Sequence, residues 1–153
     1  MKNARLLSIF LLSVSSITAL FCGFQMINDP TGSSLGLPFY LLNGSVFTDY
    51  ILPGWAILML VGVFGGIVVF CVFRKIKMYP ILILLEAIII CAIIFIQMIL
   101  LGDSFMIQYV YLIIALALLG LGFIQNQKRK IVDSEHKPNP VVKSHHHKHR
   151  KHK

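Results

Sequence analysis

The Lys and Arg residues of this chain fall in three clusters. Lys2 and Arg5 form the first. Arg74, Lys75 and Lys77 form the second, and Lys128, Arg129, Lys130 and the following tail form the third. Long apolar runs fill the two gaps, two runs to a gap. A chain that crosses a bilayer twice between basic clusters keeps all fourteen basic residues on one side. Cytoplasmic flanks carry the excess of Lys and Arg, and short loops count most. The pattern therefore predicts four spans with both chain ends and the 74–80 turn inside, and with the 26–50 loop and the 102–105 turn outside. That is a multi-pass protein of the cell (inner) membrane.

Span length agrees. A helix needs roughly 20 apolar residues to cross a ~30 Å hydrocarbon core. The segments 6–25, 51–73, 81–101 and 107–124 qualify. The chain is 57% hydrophobic and 13% charged, against about 25% charged in soluble domains, so a water-soluble fold of this size could not hide its apolar surface. The reading is an all-α, transmembrane four-helix bundle covering 1–127, with a long outer loop at 26–50. A disordered, Lys/His-rich cytoplasmic tail covers 128–153.

The formal charge of +8 is not spread evenly. Residues 1–127 carry five basic and four acidic residues; 128–153 carry nine basic and two acidic, together with all six histidines. The tail holds too few apolar residues to fold. Its cations are expected to attract anionic lipid head groups, at about 1 kcal/mol per residue near the surface. Its histidines His145, His146, His147 and His149 could bind Zn²⁺ or Ni²⁺. Beyond the bilayer, a second copy or another membrane protein is the partner class that fits. Nothing indicates specific nucleic-acid binding or a cofactor.

Lys2, Arg5 and the apolar run after them also suit a signal peptide, and Ala19-Leu20-Phe21-Cys22 is loosely like a lipoprotein cleavage site. Phe21 is bulky for that position, and the run is long for a signal core. An uncleaved helix is expected. Cys22, Cys71 and Cys91 lie at different membrane depths and form no Cys-x-x-Cys, so free thiols are expected.

Helix ends have conventional signals. Thr48 or Asp49 can cap the second helix, with Pro53 in its first turn. Pro80 opens the third, Gly102 ends it, and Asp103 or Ser104 can cap the fourth. Asn28-Asp29-Pro30-Thr31-Gly32 is a turn signal. Pro38-Phe39-Tyr40-Leu41-Leu42 would prefer the headgroup boundary, and Asn43-Gly44-Ser45 is a common-by-chance glycosylation sequon. Tyr50, Trp55, Phe105 and Tyr109 outside, and Tyr79 inside, match interfacial aromatic belts.

Glu86 is the one formal charge deep within a span. Intramembrane ionisable groups are costly and are candidates for function. With no basic residue in the core, the neutral carboxylic acid is the expected form. Gln97 follows three turns later on nearly the same face, with Ile93 between. Ser8 and Ser13 on the first helix are the expected partners, with Ser15, Ser16 and Thr18 further out. Gly65 and Gly66 permit close approach from the second helix. For helix packing, Gly62 and Gly66 form a small-xxx-small pair, as do Ser15, Ala19 and Gly23. The outer acids Asp29 and Asp49, with Asp103, could gather a metal, but solvated turns and caps are favoured. Every histidine is in the tail, so no nucleophile–base pair suggests hydrolase chemistry.

Asp29-Pro30-Thr31-Gly32-Ser33-Ser34-Leu35-Gly36-Leu37-Pro38, and then Gly44-Ser45-Val46-Phe47-Thr48-Asp49-Tyr50-Ile51-Leu52-Pro53-Gly54, resembles a group of small bacterial four-helix integral membrane proteins with no assigned role. The resemblance implies a bacterial inner-membrane protein with a structured outer loop. It brings no catalytic residues, and the His-rich tail is foreign to it. Small multidrug exporters share the size and a single membrane carboxyl, but theirs lies in the first helix and this one in the third. The expected role is that of a non-enzymatic accessory or structural membrane protein; the alternative is a small proton- or cation-coupled transporter or channel using Glu86.

Overall fold

A computed structural model describes residues 2–37, 42, 47–101 and 106–135. They form four long helices: α1 (Lys2–Asn28), α2 (Ile51–Phe73), α3 (Tyr79–Leu101) and α4 (Met106–Val132, helical to Glu135). All four are long and apolar enough to cross a membrane. Each helix packs against its neighbours in sequence, and α4 returns to α1, so the order around the bundle is α1–α2–α3–α4. Adjacent helices run antiparallel, α1 and α2 joined by the long 29–50 loop and α2 and α3 by the short 74–78 turn. The outward surface is apolar: Ile17, Phe95 and Ile113 are 66%, 58% and 67% exposed. Such a continuous apolar exterior suits lipid and not water.

Lipid gives helices no hydrophobic reason to associate, so close backbone approach must do that work. Gly23 of α1 faces Gly54 of α2. A Cβ at Gly23 would lie 2.7 Å from Leu58 Cβ and 2.8 Å from the Gly54 carbonyl oxygen; one at Gly54 would lie 2.8 Å from Met26 Cβ. Further along the same seam, a Cβ at Gly62 would lie 2.8 Å from Leu20 Cδ2. A Cβ at Gly122 of α4 would likewise lie 2.9 Å from Leu84 Cγ of α3. Ser15, Ala19 and Gly23 are all buried, as the small-residue pattern predicts. Gly66 is not part of the seam: it is exposed, and a Cβ there would meet nothing. Its neighbour Gly65 is the buried one. The inward stripe of α2 runs through Val61, Gly65, Val68 and Val72 at helical spacing, one residue out of phase with Gly66. The middle of α2, Ile57–Val63, is π-helical, and its wider i→i+5 turns reset the phase of the residues that follow.

The two ends of the bundle differ in charge. Gln125 Nε2 near the end of α4 donates to Ser8 Oγ near the start of α1 at 2.9 Å. Arg129 Nη1 donates to the Ile76 carbonyl in the α2–α3 turn at 3.4 Å. Lys2, Arg5, Arg74, Lys75, Lys77, Lys128, Arg129 and Lys130 are thus gathered at one end. Helix α4 continues past the expected boundary at Gln127 to Glu135, so the first eight residues assigned to the tail are helical. Lys, Arg and Gln are good helix formers, and the Arg129 contact anchors that turn. Residues 136–153, including His145, His146, His147 and His149, lie outside the described residues.

At the other end, Asp29 organises the loop. Its Oδ1 accepts from Thr31 N and Oγ1, and its Oδ2 from Ser33 Oγ and Ser34 N, at 2.6–3.2 Å. Gly32 has φ 75°, and a Cβ there would meet the Tyr50 ring at 2.8 Å. Tyr50 is buried under this loop and its N–H donates to the Pro30 carbonyl. It is therefore a core residue and not part of an outer belt. Tyr79 is likewise buried, with the Arg129 guanidinium 5.5 Å from its ring centre. Trp55 and Tyr109 remain exposed. Asp49 Oδ1 accepts from Ile51 N at 3.0 Å and caps α2, with Pro53 in the first turn as expected. Pro80 is the second residue of α3. Gly102, Asp103, Ser104, Phe105, the 38–41 stretch and the sequon lie outside the described residues.

Replacing Gly23 by Val should lower stability by roughly 1–3 kcal/mol, the usual cost of overpacking, whereas Gly66→Val should change it by about 0.5 kcal/mol or less. Thermal unfolding of the two variants in the same detergent checks this; equal losses would place the seam elsewhere.

Candidate functional site

Glu86 is fully buried on the inward face of α3. Opposite it on α2 is Gly65, whose missing side chain leaves room: a Cβ there would lie 2.9 Å from Glu86 Oε1 and would collide with Ser16 Oγ of α1. Three helices thus converge on one point, with a carboxyl and a hydroxyl on either side of a bare backbone. Neither Glu86 oxygen has a hydrogen-bond partner, and neither does Ser16 Oγ. The other buried hydroxyls of α1 bond back to their own helix: Ser8 to Ala4 and Ser15 to Leu11, at 2.9 and 2.8 Å. Ser16 is the exception.

A carboxylate here would have neither counter-ion nor donor, an arrangement that hydrocarbon surroundings penalise heavily. The carboxylic acid fits better. The acid and the Ser16 hydroxyl can each donate and accept, and none of their oxygens has a partner. The chemistry open to the site is to hold one proton between these groups.

Of the expected partners, Ser8 and Ser13 do not bond to Glu86. Ser8 is buried against Gln125 instead, and Ser13 is only half-buried. The reason is axial offset. Counting residues from equal starting levels matched Ser8 to Glu86, but α1 starts at Lys2 and reaches further past the basic end than α3 does. Ser16, two turns beyond Ser8, therefore comes level with the acid. Gln97 is half-buried towards the outer end. Ile90 and Ile93 separate it from Glu86, so the two do not form a continuous polar stripe. Gln125 was not foreseen in the core. It closes the apolar run of α4 and reads as an interfacial residue, yet it is 1% exposed and bonds both Ser8 Oγ and the Leu121 carbonyl.

The outer acids do not assemble a metal site among the described residues. Asp29 has its oxygens taken by the loop donors, and Asp49 serves as a cap. The Thr31 hydroxyl, the Ser34 amide and the Ser33 hydroxyl hold the Asp29 carboxyl well below the usual carboxylate range. Cys22, Cys71 and Cys91 are free thiols. On the outer half, Thr18 Oγ1 and the Tyr111 hydroxyl share a short hydrogen bond between α1 and α4.

No family model matches the chain, and no curated protein or solved structure matches it. The functional reading therefore rests on geometry.

Two outcomes are expected. Gly65→Ala should destabilise by about 1–3 kcal/mol, and adding Ser16→Gly should recover part of that loss, because the new methyl meets the Ser16 hydroxyl; strictly additive losses would show that it does not. The Asp29 carboxylate, with its lowered folded-state pKa, contributes stability that is fully present above the ordinary carboxylate range and lost as pH falls below it. Protection of the Ser34 amide from hydrogen exchange should therefore hold through neutral and mildly acid pH and fail only under strong acid; early loss, within the normal carboxylate range, would contradict the assignment.

Proposed function

We propose that the protein is a non-enzymatic accessory or structural protein of a bacterial inner membrane, with both ends and the 74–80 turn in the cytoplasm. One observation supports the accessory role above all: Glu86, the one carboxyl within the spans among the described residues, is fully buried at the centre of the bundle, beside Ser16 and Gly65. A proton or cation carrier must expose its acid to water on alternate sides. Here Ala19, Val61 and Ile90 lie one turn outward from the cluster, and Leu12, Ile83 and Leu118 belong to the same buried core. Glu86 is then a neutral packing residue at the point where three helices converge.

The gathering of eight basic residues at one end supports the orientation, because translocation disfavours Lys and Arg in short flanks. The same end suits contact with anionic lipids, to which the tail would add. The packing of α1 through Gly23 and Ser8 supports its retention as an uncleaved helix.

The alternative, a proton-coupled transporter, has one specific observation in its favour. Three unpartnered oxygens in one cluster are unusual for a purely structural feature. Reconstitution separates the readings. Vesicles carrying the protein and an internal pH dye should leak protons no faster than empty vesicles under a pH gradient. Glu86→Gln should keep its melting temperature within about 4 °C, the equivalent of roughly 1 kcal/mol. A flux that appears with the native chain and vanishes with Glu86→Gln would establish transport instead.

A further inference from the structure

The outer half of the bundle encloses a cleft of about 650 Å³. It is bounded by all four helices and roofed by Leu35, Leu42, Phe47 and Tyr50 from the loop. Its volume falls within the range of about 300–1,000 Å³ typical of small-molecule sites. The walls are almost wholly aliphatic, and none of the lining residues carries a charge. The floor is formed by Ala19, Val61 and Ile90, one turn outward from the Ser16–Gly65–Glu86 cluster. Gln97, Gln108 and Tyr111 group their polar ends where the end of α3 meets the start of α4; the other polar lining residues are Tyr50 in the roof and Cys22 on α1.

The cleft also opens sideways. Leu60 of α2 and Ile96 of α3 both line it and are 46% and 52% exposed on the outer surface of the bundle. In a membrane that surface is hydrocarbon, so the opening faces lipid tails rather than water. The wall on the α2 side is the π-helical stretch, with Ile57, Leu60 and Val61 on the cleft. Such stretches are rare and are frequent at functional sites.

We infer that this cleft binds an uncharged membrane lipid, with an apolar chain directed to the floor and a neutral hydrogen-bonding head held by Gln97, Gln108 and Tyr111. The lateral opening selects a ligand already dissolved in the bilayer. The aliphatic walls select a chain. The two amides and the phenol, with no cation nearby, select a head that donates and accepts hydrogen bonds without a charge. A phosphate or carboxylate head would be desolvated there with nothing to neutralise it.

The test uses the full chain in phosphatidylcholine nanodiscs and a monoacylglycerol whose acyl chain ends in a photoreactive diazirine. After irradiation, peptide mapping should place adducts on the floor, at Ala19, Val61 and Ile90. Ala56→Trp, which fills the cleft from its α2 wall, should reduce those adducts about tenfold and leave labelling near the exposed Phe10 unchanged. Unlabelled monoacylglycerol should displace the floor adducts from the native chain, a control that stands if the Trp variant does not fold. Phosphatidic acid with the same diazirine chain should label the floor about tenfold less. Adducts confined to exposed helix faces, or floor adducts that excess monoacylglycerol does not displace, would overturn the site. Equal floor labelling by phosphatidic acid would overturn the neutral-head assignment.

Discussion

Hydrocarbon offers a helix neither hydrogen bonds nor a reason to leave it, and everything in this bundle depends on how α1 and α2 overcome that indifference. They do so by bringing backbone against backbone at Gly23 and Gly54, with Leu20 on Gly62 and Ser16 on Gly65 further along. Dispersion at such short range is what replaces the hydrophobic effect inside a membrane. The consequence is directional. At the Gly23–Gly54 contact the two helices touch; around Gly65 the same closeness forces a serine and a glutamate into one small space. The polar cluster is thus a by-product of the seam as much as a feature in its own right.

The basic end and the apolar outer half divide the molecule differently. At the basic end, polar contacts tie the helices: Ser8 with Gln125, and Arg129 with the α2–α3 turn. In the outer half, the ties move to the loop, where Asp29 and Tyr50 close a small second core with Met26 and Leu42. Between the Tyr50 roof and the Glu86 layer, α1 and α2 stay in contact along their glycines, and the space they enclose with α3 and α4 is apolar. A bundle tied at both ends around such a space can host part of its own solvent.

Much of the fold was legible in the sequence because the bilayer imposes so strict a code. Span number and approximate span positions followed from apolar run length, and the segregation of Lys2, Arg74 and Lys128 from charge spacing. The turn at Asp29, the Asp49 bond at the start of α2 and the burial of Glu86 also followed from residue type. What failed were statements about phase and axial offset. The Gly62–Gly66 pair takes α2 for a regular α-helix, but Ile57–Val63 is π-helical and the glycine that is buried beside Gly66 is Gly65. Ser8 and Ser13 were matched to Glu86 by counting from equal starting levels, and α1 does not start level with α3. Tyr50 and Tyr79 were read as belt residues from their position near span ends, but a tyrosine there can equally turn inward when a glycine or an arginine receives its ring. Gln125 was hidden for the same reason: at the edge of an apolar run, nothing in one dimension says which way a side chain points.

The Ser8–Gln125 bond ties α1 to α4 across 117 residues of sequence. Until α4 has been synthesised as far as Gln125, Ser8 can offer only its bond to Ala4. This latch between the two hairpins therefore needs both of them in the membrane before it can engage.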